Sequence, residues 1–118
     1  MSKPKILVVE DDTYVQDVYR RKLTANFDLL QATTLNEGER LFQENRDEIV
    51  LVVMDACVPG GQPNSIPLVE EIRKSFDGPI IASSSDEDYR KILVHAGCSH
   101  EAPKYEVSKL IHQLFKIN

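Results

Sequence analysis

What the chain has little of narrows its nature before any motif is read. It holds two cysteines in 118 residues, Cys57 and Cys98, far apart and without CxxC spacing. Neither a disulfide framework nor a zinc site is suggested, and a reducing compartment is the default expectation. Positive charge is not in surplus: 14 basic against 19 acidic side chains give a formal net charge of −5 with histidine neutral. A nucleic-acid binder normally carries a basic stripe, and the one dense basic run, Arg20, Arg21 and Lys22, reads as a solvated helix face. Long apolar runs are missing as well. The N-terminus MSKPKILVVEDD passes from a short basic start into acidic residues after an apolar run much too short for a signal peptide or a membrane span. The expectation is a cytoplasmic protein with neither direct nucleic-acid contact nor a membrane partner. His95, His100 and His112 share no ligand spacing and read as surface or half-buried side chains.

What is present fits one globular domain over residues 1–118. A hydrophobic fraction of 42% beside 28% charged residues is ordinary for such a domain, and a chain of this length buries roughly two-thirds of its unfolded surface. Three apolar runs without alternation, Ile6 to Val9, Ile49 to Met54 and Pro79 to Ala82, read as strands buried on both faces. Phe27 to Ala32 and Ser99 to Ala102 are weaker strand candidates. Between them lie helical stripes: Val15, Val18, Tyr19 and Leu23; Leu35, Gly38, Leu41 and Phe42; Leu68, Val69, Ile72 and Phe76. Tyr89, Ile92, Leu93 and Ala96 form a fourth stripe stopped by Gly97, and Val107, Leu110, Ile111, Leu114 and Phe115 make the clearest one, at the end. Strand and helix alternate five times, the pattern of an α/β doubly wound parallel sheet with right-handed crossovers. Ligands of such sheets sit outside the carboxyl ends of the strands.

Those ends carry chemistry. The first strand runs into Glu10, Asp11 and Asp12, the third into Asp55, the fourth into Ser83, Ser84 and Ser85, and the weak fifth toward Lys104. Each has a plain alternative. Acidic residues after a strand also cap a following helix and pair with its dipole, worth about 0.3–1 kcal/mol each. Ser84 alone would serve as a loop hydroxyl or a cap before Asp86, and Lys104 alone as a surface lysine. Asp55 has fewer structural excuses, because it closes the run IVLVVMD just before a Val-Pro-Gly-Gly loop. If the first and third strands are neighbours, Asp11 and Asp55 face each other, which is costly unless a cation lies between them. A hard cation that prefers oxygen, Mg2+, suits that donor set. Together these residues compose a phosphoryl-transfer site: a carboxylate nucleophile, a divalent ion, a hydroxyl donor and a lysine for developing charge.

From ILVVEDD through VVMDACVPG and PIIASSS to APK, the whole chain resembles a CheY-like receiver domain of the bacterial response-regulator family. The resemblance implies a flavodoxin-like (βα)5 fold with strand order 2-1-3-4-5. It implies that Asp55 is the phospho-acceptor, taking a phosphoryl group from a histidine kinase or histidine phosphotransfer protein. Asp11 would hold Mg2+ directly and Glu10 through water, with Asp55 and the main-chain carbonyl of Cys57 completing the protein ligands. Ser84 would bond a phosphoryl oxygen and Lys104 would pair with it. Asp12 reads as an N-cap or outer-shell group. Phosphorylation would shift a population of the fourth helix, fifth strand and fifth helix, changing contacts with a downstream protein target. Such a domain is a phospho-acceptor with self-catalysed phosphorylation and dephosphorylation rather than an enzyme acting on other substrates.

Three features depart from the family pattern. Glu101 stands where the family carries a switch aromatic. Pro103 precedes Lys104 and Tyr105 follows it, whereas the family's lysine is followed by a proline, commonly through a cis bond. VPGGQPNSIPL is two residues longer than the corresponding loop, and its expected helix start has Asn64 or Ser65 as N-cap and Pro67 in the first turn. Cys57 reads as a small buried thiol. These departures also motivate an alternative, a pseudo-receiver interaction module that keeps the pocket without switching. An aspartate-nucleophile phosphatase of the haloacid-dehalogenase type would place a second acid where Cys57 stands. A flavodoxin-like electron carrier would need an amide-rich, glycine- or hydroxyl-bearing loop where EDDT brings negative charge.

Overall fold

The computed structural model describes residues 3–117; Met1, Ser2 and Asn118, the ends of the domain expected over 1–118, lie outside the described residues. Five strands, β1 (Lys5–Val9), β2 (Asp28–Ala32), β3 (Ile49–Asp55), β4 (Ile80–Ser83) and β5 (His100–Ala102), alternate with five helices. The helices are α1 (Thr13–Leu23), α2 (Leu35–Asn45), α3 (Ile66–Arg73), α4 (Glu87–Ala96) and α5 (Val107–Leu114). All strand pairs are parallel and the order is 2-1-3-4-5. Every strand expected from the apolar runs is present, with ends shifted by a residue.

The runs are continuous because successive side chains point to opposite faces and both faces are covered. Leu7, Val9, Val52, Met54, Ile80 and Ala82 pack with Phe42 of α2, Val69 and Ile72 of α3 and Leu93 of α4. Ile6, Val8, Leu51, Val53 and Ile81 meet Tyr19 and Leu23 of α1 and Val107 and Ile111 of α5. Each such side chain contributes about 1.5–3 kcal/mol on burial. Helix α2 lies so close to β1 that a Cβ at Gly38 would stand 2.8 Å from Val9 Cγ2. Gly97, at φ 141°, closes α4 as expected.

Of the two cap residues expected at the entry to α3, one holds the position and the other does not. Ser65 occupies the cap position without a capping bond; its hydroxyl instead donates to the Ala56 carbonyl at 3.0 Å. Asn64 does not cap. Its side chain accepts from the Val58 amide and donates to the Val58 carbonyl, both at 2.8 Å, pinning the long loop onto itself. Pro67 does sit in the first turn. Helix α3 ends before Phe76, which packs into the core from the following turn. The carboxyl ends of β1, β3, β4 and β5 share one edge of the sheet, and strand order reverses between β1 and β3. Among the described residues no helix is long and apolar enough to cross a membrane.

Candidate functional site

Glu10 follows β1 directly, and its amide donates to the Ala32 carbonyl at 2.9 Å, fixing it against β2. Asp12 caps α1, accepting from the amides of Tyr14 at 2.8 Å and Val15 at 3.4 Å. The reading of Asp12 as a cap thus holds. Glu10 is turned inward with 1% exposure, one carboxylate oxygen accepting from the Asp12 amide at 3.0 Å. Beneath it, the buried amide of Gln16 reaches from α1 to the carbonyls of Glu10 and Ala32, each at 3.0 Å, and to that of Val8 at 3.3 Å. Gln31 on β2 donates to the Gln16 carbonyl and side-chain oxygens at 2.8 and 2.7 Å.

Asp55, the last residue of β3, pairs in register with Ser83 of β4. Carboxylate oxygens of Glu10, Asp11 and Asp55 come within 4.8 Å of one another. Lys104, in the 3-10 turn Lys104–Glu106 just after β5, sends its ammonium between them, 2.9 Å from Glu10 Oε1 and 3.5 Å from Asp55 Oδ2. Pro103 before it and Tyr105 after it do not prevent this placement, and Tyr105 itself is exposed. Burial, then the neighbouring charge of Glu10, pushes the Asp55 carboxyl well above the usual carboxylate range, and Lys104 offsets only part of this. Burial works against the Lys104 ammonium, but Glu10 and Asp55 outweigh it and its pKa rises.

Glu10 Oε1 is the one buried side-chain polar atom among the described residues without a hydrogen-bond donor. The Lys104 ammonium compensates its charge from 2.9 Å. An orphaned, inward-facing oxygen among three carboxylates fits a small hard cation, and Mg2+ suits this all-oxygen set.

Around these groups opens a cleft of about 430 Å3, lined among others by Asp11, Asp55, Cys57, Ser84 and Lys104. The residues read from the strand ends are therefore neighbours in space. Asp86 caps α4 through the Tyr89 amide at 3.2 Å. The Ser84 hydroxyl accepts from the Asp86 amide at 3.0 Å, so it stabilises the same turn without being the cap. Cys57 departs from the expected buried thiol: it is half-buried on the cleft wall, and its amide donates to Asp55 Oδ1 at 3.4 Å. The peptide between Val58 and Pro59 in the adjoining loop is cis.

Three contributors escaped sequence reading. Gln16 lies on the buried side of α1, where an amphipathic count sees only one polar interruption. Tyr19 was counted as core, yet its hydroxyl lies 3.3 Å from Ser83 Oγ, and burial holds its pKa up at about 12. Arg90 of α4 donates to the Ser84 carbonyl at 2.8 Å. A polar residue hidden on a helix face is the signal in the first case; the other two have no local signature.

No family model and no curated protein sequence matches the chain. Solved structures do match. A two-component response regulator of the LuxR family from Aurantimonas sp. SI85-9A1 superposes with TM-score 0.76 at 24% identity, over 98% of this chain and 84% of that one. The receiver domain of the Francisella response regulator 1452 gives 0.76 at 22%, over 97% and 98%. The BeF3-activated N-terminal receiver domain of Klebsiella pneumoniae RstA gives 0.73 at 21%, over 95% and 96%. At such identities the likeness speaks for the backbone alone: the fold of this chain is similar to that of response regulator receiver domains.

Proposed function

We propose that this chain is a phospho-accepting receiver in a two-component or phosphorelay system, with Asp55 as acceptor. The observation that carries the reading is the seating of Lys104 between Glu10 and Asp55, at 2.9 and 3.5 Å, in a cleft that Ser84 also lines. A carboxylate oxygen of Asp55 attacks the phosphorus of a donor phosphohistidine. The new P–O bond forms as the P–N bond breaks, and the imidazole leaves with the bonding electrons. Lys104 pairs with the phosphoryl oxygens as their charge develops, and the Ser84 hydroxyl donates to one of them. Glu10, Asp11, Asp55 and the carbonyl of Cys57 would hold Mg2+, which supplies charge neutralisation. Attack of water on the phosphorus later returns the aspartate and inorganic phosphate. The partners are a histidine kinase or phosphotransfer protein on one side and a downstream protein on the other.

The test is intact mass after incubation with acetyl phosphate and magnesium. A gain of one phosphoryl group that is absent in Asp55→Asn is the expected result. No gain in folded wild-type protein overturns the reading in favour of a docking module.

A further inference from the structure

Behind Ser84 lies an ion-pair cluster that the proposed chemistry does not use. Arg90, with a side chain only 13% exposed, has two of its three guanidinium nitrogens within hydrogen-bond reach of acceptors. One donates to the Ser84 carbonyl at 2.8 Å, Nε donates to Glu101 Oε1 at 3.2 Å, and the third lies 3.9 Å from Glu87. Glu101, in the middle of β5, gives its other oxygen to Lys91 at 2.6 Å. The Ser84 amide reaches Ala102 only at 3.4 Å, near the limit of a hydrogen bond. The shorter link from the Ser84 peptides to the α4 and β5 side thus runs through Arg90.

A planar guanidinium holds two acceptors in fixed relative directions, so displacement of one reorients its bond to the other. The Ser84 hydroxyl lies on the cleft side of the same loop and, among the described residues, bonds only with the Asp86 amide, from which it accepts. An anion that recruits this hydroxyl as a donor moves the loop and with it the Ser84 carbonyl. We propose that Arg90 is a positioning residue for the cleft: through Glu101 it couples the Ser84 loop to the seating of α4 against β5, so that cleft occupancy reaches that face through an ion pair. The coupling rests on the proposed phosphoryl chemistry at Asp55; the anchoring of the loop does not.

The test uses the full chain, with beryllofluoride and magnesium standing in for the phosphoryl group. Wild type, Glu101→Gln and, as a control, Lys91→Gln are compared by amide NMR, with amide hydrogen exchange measured in the free proteins. In Glu101→Gln the Asp86 amide should exchange about five-fold faster or more, from loss of a charge-assisted bond. Beryllofluoride should shift the pocket amides of Ser84 and Ser85 as in wild type. Shifts at residues 91–96 and at Ala102 should fall to about half or less. Lys91→Gln, which leaves Arg90 on Glu101, should match wild type in both respects.

Unchanged exchange together with full remote shifts in Glu101→Gln overturns the proposal. Faster exchange with full remote shifts overturns the coupling and leaves only an anchor. A wild-type protein whose pocket amides do not respond to beryllofluoride overturns the phosphoryl reading instead, and the exchange rates then still decide whether Arg90 holds the loop.

Discussion

The two charged clusters flanking Ser84 are built on opposite balances. On one side, the carboxylates of Glu10, Asp11 and Asp55 share the ammonium of Lys104. On the other, the carboxylate of Glu101 lies between Arg90 and Lys91. The first leaves a buried oxygen without a donor and forces a carboxyl pKa up; the second satisfies its carboxylate and holds its pKa down. Structure alone would favour the second arrangement. A protein that keeps the first keeps a place for positive charge from outside.

The strongest way to break this contrast is to remove the shared ammonium. Lys104→Met retains length and apolar stem but leaves Glu10 and Asp55 uncompensated. Removing one partner of a buried pair costs about 3–5 kcal/mol, and the partial exposure of Lys104 lowers the expectation to about 2–4 kcal/mol. Denaturant unfolding with a chelator present should show this loss, and millimolar magnesium should recover part of it. Equal stability in wild type and variant without metal would mean that the carboxylates do not strain the fold.

If charge does not hold that edge together, neutral hydrogen bonds must. Gln16→Leu removes the donor that meets the carbonyls of Val8, Glu10 and Ala32 while keeping the site filled. The Ala32 carbonyl keeps the Glu10 amide, so the loss falls on the other acceptors, and leaving a buried acceptor unmet costs about 1–3 kcal/mol. Magnesium affinity, followed by titration, should weaken as well, because the Glu10 carbonyl loses its donor and only the bond from the Glu10 amide to Ala32 still holds that peptide. A stability loss with unchanged affinity would separate the scaffold from the metal-binding edge.

Asp55→Asn should act in the opposite direction. It removes one of the crowded carboxylates while Lys104 keeps Glu10, so the metal-free protein should gain about 1–2 kcal/mol at neutral pH. The magnesium-induced rise in melting temperature should shrink in the same variant. A destabilised metal-free Asp55→Asn protein would contradict the electrostatic account of the pocket.

How much of this was legible follows from range. Asp55 announces itself locally, because a carboxylate closing a buried strand has few structural uses; Glu10 and Asp11 read equally well as helix-start acids, and only the apolar runs that put them on the same sheet edge as Asp55 tip the balance. Lys104 was harder: β5 is only His100–Ala102 and carries little hydrophobic signal, so its position depended on resemblance until the ammonium was seen between two carboxylates. Ser65 holds the expected cap position but spends its hydroxyl on the Ala56 carbonyl, and Asn64 binds the Val58 peptide groups instead of capping, uses inside the long loop that local spacing does not show. Arg90 was invisible. Its role depends on Glu101 eleven positions later and a carbonyl six positions earlier, spacings without a local pattern.

The smallest expected effect sharpens the contrast through pH. The hydrogen bond from Lys91, with help from Arg90, lowers the Glu101 carboxyl pKa in the fold. A lowered folded value means that the native state binds fewer protons than the unfolded chain between the two pKa values, so stability rises with pH there. Its contribution is therefore present above the ordinary glutamate range and is lost as pH falls through the folded value. Glu101→Gln should cost only about 0.5–1 kcal/mol at neutral pH, since the cluster is partly solvated, and the cost should vanish once the pH falls below the folded value. Asp55 runs the other way. Its raised carboxyl lets the native state hold the extra proton, so without metal its contribution declines as pH climbs above the ordinary aspartate range. Stability differences of Glu101→Gln and Asp55→Asn from wild type, measured from about pH 3 to pH 8 with a chelator, should thus change with opposite slopes. The Glu101→Gln cost should grow upward from acid, and the Asp55→Asn gain should do the same with reversed sign. Parallel slopes would show that the two clusters carry the same balance of charge after all.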